Sequence, residues 1–204
     1  MVNLMPDWAR WIWVGIFLLV LVHHIAHLVH MYGVHQLWHL GHILMGIGMA
    51  YMFLPPQYRY TTRWPWQVLF AVATILAGGY ALLKLRKGTR VDLPWITLIV
   101  GLGAMVYMWA MGDGLAWAPI TYAAAIWFSG EAVGWFTGEL CGRRDNAWLP
   151  TAIAPSRGRA TVMPAPYLTG SKPIAYGATW FTRTTLGLMA VGMAYMFVGM
   201  QLLL

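Results

Sequence analysis

Six runs of about twenty apolar residues account for most of the chain, at 10–31, 35–54, 66–84, 94–112, 115–138 and 180–203. A run of that length, wound as a helix, crosses a bilayer core of roughly 30 Å. Sixty per cent of the residues are hydrophobic and only 9% are charged, far below the usual quarter of a soluble domain. The expected fold is therefore all-α: a polytopic membrane helix bundle of six transmembrane helices, one membrane domain over residues 1–204. The first run lacks a small-residue cleavage site and carries four histidines, so it is expected to stay as a helix of the mature protein.

Basic residues give the expected orientation. Lys84, Arg86, Lys87 and Arg90 follow the third run, and Arg143, Arg144, Arg157, Arg159 and Lys172 follow the fifth. Arg183 opens the sixth run, whereas only Arg10, Arg59 and Arg63 fall on the other side. The positive-inside rule then puts the 84–93 and 139–179 loops in the cytoplasm of a bacterial cell and both termini outside its plasma membrane. The net charge of +7 reads as this topology signal, and no nucleic-acid partner is needed to explain it.

All seven histidines lie between His23 and His42, inside otherwise apolar sequence. Six form two triplets, His23/His27/His30 and His35/His39/His42, each spaced i, i+4, i+7 and so on one helix face. Met31-Tyr32-Gly33-Val34 can turn the chain between them. An antiparallel hairpin there is expected to set His30 near His35, His27 near His39, and His23 near His42. His24 points about 100° away from the triplet face and is expected to touch another helix or support a ligand. One histidine in an apolar helix is ordinarily a packed side chain. A cluster in lipid is functional by default, because polar groups there are costly.

Ligand chemistry narrows the metal. The 23–42 window holds no carboxylate, which disfavours calcium and magnesium. Imidazole suits zinc, copper, nickel or iron, and thioether sulfur adds a preference for Cu(I). On the second run Met45, Met49 and Met52 continue the His35/His39/His42 stripe, so copper is favoured over zinc. Haem is the competitor, but linked helices pack about 8–10 Å apart, too close to hold a porphyrin between facing histidines. No other helix offers a histidine, and the late histidine box that membrane di-iron enzymes would need is missing. The single Cys141 rules out an internal disulfide and a cysteine-cluster site.

A second pattern is a repeat. Residues 44–53 read LMGIGMAYMF, 188–197 read LMAVGMAYMF, and AMVYMW at 104–109 is a looser copy. Duplication and a shared packing solution explain it equally well from sequence. Met105, Met108 and Met111 stripe the fourth run, and Met189, Met193, Met196 and Met200 the sixth, a spacing that packed helices also require. Glu131 lies within the fifth run among Gly130, Gly134 and Gly138; it is a secondary ligand candidate or a packing hydrogen bond. Asp113 beside Gly112 and Gly114 reads as a turn. The 139–179 loop, with Pro150, Pro155, Pro164, Pro166 and Pro173, is long enough to lie along another membrane subunit or on anionic headgroups. Tryptophans at run ends, such as Trp8, Trp64, Trp95 and Trp180, suit an interfacial belt in the lipid bilayer.

The stretch His39-Leu-Gly-His42-Ile-Leu-Met45 with Met49 and Met52 resembles a group of actinobacterial multi-pass membrane proteins of unknown function that share an HxxHxxM…MxxM helix. The resemblance is carried by residues 39–53, and Leu186 stands where members often have a further histidine. It implies a bacterial plasma membrane and no particular activity. The resulting expectation is a copper-binding membrane protein, not catalytic on its own, acting in Cu(I) handling or as a subunit of a larger enzyme such as a copper membrane monooxygenase. The alternatives are a haem- or iron-binding redox protein, and a structural subunit whose histidines pack or relay protons.

Overall fold

Proline and glycine set where the apolar runs begin and end. The structure, a computed structural model, describes residues 6–30, 34–88, 91–111, 114–141 and 180–201. Six long helices result: α1 (Asp7–His30), α2 (Val34–Phe53), α3 (Trp64–Arg86), α4 (Leu93–Met111), α5 (Ala118–Thr137) and α6 (Trp180–Gln201). Pro65, Pro94 and Pro119 each sit in a first turn, where the missing N–H costs nothing. At the end of α5, Gly138 turns left-handed with φ 83°, and Arg183 of α6 donates to the carbonyls of Trp135 and Phe136. That contact satisfies two of the helix's last free acceptors. Asp113 and most of the 139–179 loop lie outside the described residues.

Four helices, α1, α3, α4 and α6, are long and apolar enough to cross a membrane. The helices α2 and α5 are each 20 residues long but less apolar, α2 because of its histidines and α5 because of its threonines, serine and glutamate. Large apolar side chains such as Val22, Val29, Ile75, Leu76, Ile126 and Val133 point outward. An apolar exterior over buried polar groups is the expected inversion for a chain solvated by lipid.

The helices alternate in direction. Antiparallel pairs are α1/α2, α3/α4 and α5/α6, marked by contacts such as Trp13–Phe53, Trp66–Trp109 and Phe128–Phe197. The even-numbered helices run parallel to one another. Trp38 near the start of α2 donates to the carbonyl of Pro94 at the start of α4, and Tyr51 near the end of α2 meets Trp109 near the end of α4. All described histidines therefore share one end of the bundle with Lys84, Arg86 and Arg183, and Arg59 and Arg63 lie at the other.

The repeated motif has a structural counterpart. Its tyrosine on each even helix faces the aromatic residue closing the motif on the next: Tyr51 to Trp109 at 6.2 Å, Tyr107 to Phe197 at 6.1 Å, and Tyr195 to Phe53 at 6.4 Å. The three contacts close a cycle, so the motif copies occupy equivalent places around α2, α4 and α6. The turns after α2 and α4 match as well. Tyr51 Oη accepts from the Thr61 amide at 2.7 Å, and Tyr107 Oη accepts from the Trp117 amide at 2.8 Å. Glycine opens two notches in this frame. A Cβ on Gly48 would lie 2.5 Å from the Phe70 ring, and one on Gly192 would lie 2.5 Å from the Phe17 ring. Rigid rings give little there, so Gly48→Ala and Gly192→Ala should each lower stability by about 1–3 kcal/mol. Thermal unfolding in detergent checks this. Unchanged midpoints for both variants would show that the notches are not close-packed.

Candidate metal centre

The α1/α2 hairpin carries the site, and the packing stripe of α1 decides which histidines face inward. Buried Val14, Phe17 and Val20 step along α1 by three and three, and the same stripe continues through His24 to His27. On α2 the inward face carries Trp38, His39 and His42. His24 is 0% exposed, His39 2% and His42 3%, so three imidazoles are closed off inside the bundle.

Their rings are in direct contact. His24 Nδ1 and His39 Nδ1 lie 2.8 Å apart, one donating its hydrogen to the other. The His24 and His42 rings stack at 5.0 Å and 19°, and those of His27 and His39 at 5.5 Å and 11°. His42 Nδ1 lies 2.9 Å from the carbonyl of Trp38, one turn earlier. A carbonyl only accepts, so Nδ1 carries the hydrogen and Nε2 keeps its lone pair. That support from a backbone carbonyl is the usual second contact of a metal-ligating histidine. His24 Nε2 is buried without a hydrogen-bond partner among the described residues. Leaving such an atom unsatisfied costs about 1–3 kcal/mol, a cost that a bound ion would remove.

The expected ladder changes in two places. His27 does face His39, as the hairpin spacing predicts. His23 does not meet His42: its Nε2 lies 3.0 Å from Thr182 Oγ1 and its ring 4.9 Å from Phe181, both on α6. His24 takes the central place instead, touching both His39 and His42. The reason is helical phase. The triplet spacing put His23 at the hairpin seam, whereas the apolar stripe through Phe17 and Val20 turns His24 into it and His23 toward α6. His23 keeps a link to the cluster through His27, at 4.4 Å between rings. The side chains of His30 and His35 lie outside the described residues, so the third rung is not placed.

His24 apart, the secondary candidates lie elsewhere. Met45, Met49 and Met52 are buried in the core, and the Met45 thioether fills the space above Gly101 of α4. Glu131 accepts a hydrogen bond from Trp135 Nε1 at 3.1 Å, on α5, which packs against α6 rather than the histidine hairpin. Among the described residues, no three histidine, cysteine, aspartate or glutamate side chains converge as one ion would require. Two residues of the site carried no signal in the reading of the sequence. Trp38 covers the cluster, its indole 4.1 Å from the His42 ring and 4.9 Å from that of His39, and is held by the Pro94 carbonyl. Thr182 anchors His23, and only its polarity within an apolar helix sets it apart.

The model of the family described as "Domain of unknown function (DUF5134)" matches residues 34–200, from the first residue of α2 almost to the end of α6. No curated protein and no solved structure matches the chain. The matched region takes in His35, His39 and His42, whereas His23, His24 and His27 on α1 precede it. A match over most of the chain settles membership: the protein belongs to the DUF5134 family, whose function is unknown.

Proposed function

We propose that this is a six-pass membrane protein of the bacterial plasma membrane that binds Cu(I) through the buried histidines of its first hairpin. It would serve as a subunit of a larger membrane copper enzyme, for example a copper membrane monooxygenase, or in Cu(I) handling. One observation carries the reading: His24, His39 and His42 meet in an apolar interior, with His24 Nε2 unpartnered and the His42 Nε2 lone pair set by the Trp38 carbonyl. Neutral imidazoles bind a soft ion without bringing fixed negative charge into lipid. A closed zinc site takes four ligands, which would demand more rearrangement of these side chains than the two or three that satisfy Cu(I). The facing rings touch, which leaves no gap for a porphyrin and puts haem behind copper.

A second reading is a proton relay, favoured by the nitrogen-to-nitrogen hydrogen bond of His24 and His39. Metal analysis separates the two. Detergent-purified protein loaded with Cu(I) and desalted should keep stoichiometric copper. Retention of zinc alone, or of no metal, overturns the copper reading.

Replacing His39 of the His24–His39 pair by leucine strands His24 Nδ1 and should cost about 1–3 kcal/mol of stability. Replacing both should restore stability to near that of the parent while lowering copper affinity more than about tenfold. A double variant that is stable and still holds copper would remove this pair from the site.

Orientation has its own test. On a Cys141→Ser background, Arg59→Cys should react with a membrane-impermeant maleimide in intact cells, and Lys87→Cys only after lysis. The opposite pattern would invert the topology and put the histidine end outside.

A further inference from the structure

His24, His39 and His42 are almost fully enclosed, so an ion reaches them only past a neighbouring group. The α4 side is shut. Trp38 lies across His39 and His42, is itself fully buried, and is tied to the Pro94 carbonyl. About one turn along α2, Leu98 of α4 packs onto Gly41 so closely that a Cβ there would lie 2.6 Å from Leu98 Cδ1. Toward the bilayer centre Val20 and Met45, each about one turn deeper on its helix, are buried as well.

The side toward α6 is built differently. His23 and His27, one turn apart on α1, bring their rings within 4.4 Å at 63°. His27 is half-buried rather than enclosed, and its ring lies nearly parallel to that of His39 at 5.5 Å and 11°. The His23 ring lies 5.5 Å from that of His24. Each member of this outer pair thus touches one ring of the closed cluster. His23 Nε2 is engaged by Thr182 Oγ1 at 3.0 Å, so Nδ1 is the nitrogen that can take an ion with this contact intact. An oxygen contact on the second nitrogen is the ordinary support of a metal-ligating histidine. Imidazoles already in contact can exchange an ion by turning their side chains between rotamers, with no helix displaced.

We propose that His23 and His27 form an outer station for Cu(I), and that His27 passes the ion to and from the closed His24/His39/His42 cluster. This rests on the copper reading and divides its histidines into those that move the ion and those that hold it. In the transfer, a coordinate bond from copper to an imidazole nitrogen of the outer pair breaks as one to His39 forms, and copper is neither oxidised nor reduced. Because His27 acts on the route and not in the resting site, it sets how fast copper moves and not how tightly it is held. A ligand of the resting site does the reverse: its loss speeds release and weakens binding.

Copper exchange by the full-length protein in detergent tests this. Loading is followed from the Cu(I)–bicinchoninate complex, whose colour fades as copper leaves it, and release into excess bathocuproine disulfonate, whose colour grows. His27→Leu should slow loading and release by the same factor, at least about tenfold, with stoichiometry unchanged and Kd held within about twofold. His27→Met, close to leucine in size but carrying a thioether, should recover most of the lost rate, because sulfur takes Cu(I) and leucine does not. In the unaltered chain the loading rate should level off as the Cu(I) supply rises, since transfer from the outer pair then becomes limiting. That measurement depends on no variant folding. A loading rate that stays proportional to supply overturns the proposal, as do equal rates in the parent and His27→Leu. So does a His27→Leu variant that releases copper faster and binds it more weakly, or a His27→Met variant as slow as His27→Leu, which would make the effect one of packing. An unaltered chain that retains no copper overturns the copper reading itself, whereas stoichiometric copper with any of those four results overturns only the transfer role.

Discussion

The closed cycle of tyrosine–aromatic contacts around α2, α4 and α6 is the constraint on which the rest of the bundle depends. It fixes the rotation of α2 about its own axis. With Tyr51 against Trp109 and the Gly48 notch closed by Phe70, Met45 turns to α4. His39 and His42 are left on the side where α1 passes. In lipid no bulk hydrophobic force holds helices together, so close approach at small residues and ring contacts has to do so. The glycines at 48 and 192 are where that approach is tightest.

Within a nearly repeated frame, the histidines are confined to one hairpin. Counting back from the shared motif, the places of His39 and His42 are taken by Arg183 and Leu186 on α6, and by Trp95 and Leu98 on α4. Arg183 spends its donors on the last carbonyls of α5, a structural use of the same position. In the third hairpin the ring that α5 lays against the frame is Phe128, stacked on Phe197. Among the described residues the buried polar atoms without a hydrogen-bond partner are His24 Nε2, Trp109 Nε1, Glu131 Oε2 and Gln201 Oε1, and of these only His24 belongs to the histidine hairpin.

Much of the helix inventory was legible because a bilayer-length apolar run leaves a chain few options. The six runs coincide with six helices, shifted by a few residues at their ends, where proline and glycine chemistry intervenes. The antiparallel seam between His27 and His39 was legible too, since a short link fixes the register of a hairpin. The rotational setting was not. His23 and His24 are adjacent in sequence and both lie near the seam, and only the packing of Phe17 and Val20 decides between them. The methionine stripe misleads for the same reason: Met45 follows His42 on the helix, yet a few tens of degrees of rotation put its sulfur on Gly101 of α4 instead.

From sequence alone came the solvent, the helices, the alternation of their directions and the concentration of imidazole at one end. These follow from composition, length and spacing, which are properties of single segments. Tertiary structure decided which histidine is the hub, what anchors its neighbours and where the repeat is broken. Each of those depends on the phase of one helix against another. Phase is set by contacts between residues such as Tyr195 and Phe53, more than a hundred positions apart, which no local pattern encodes.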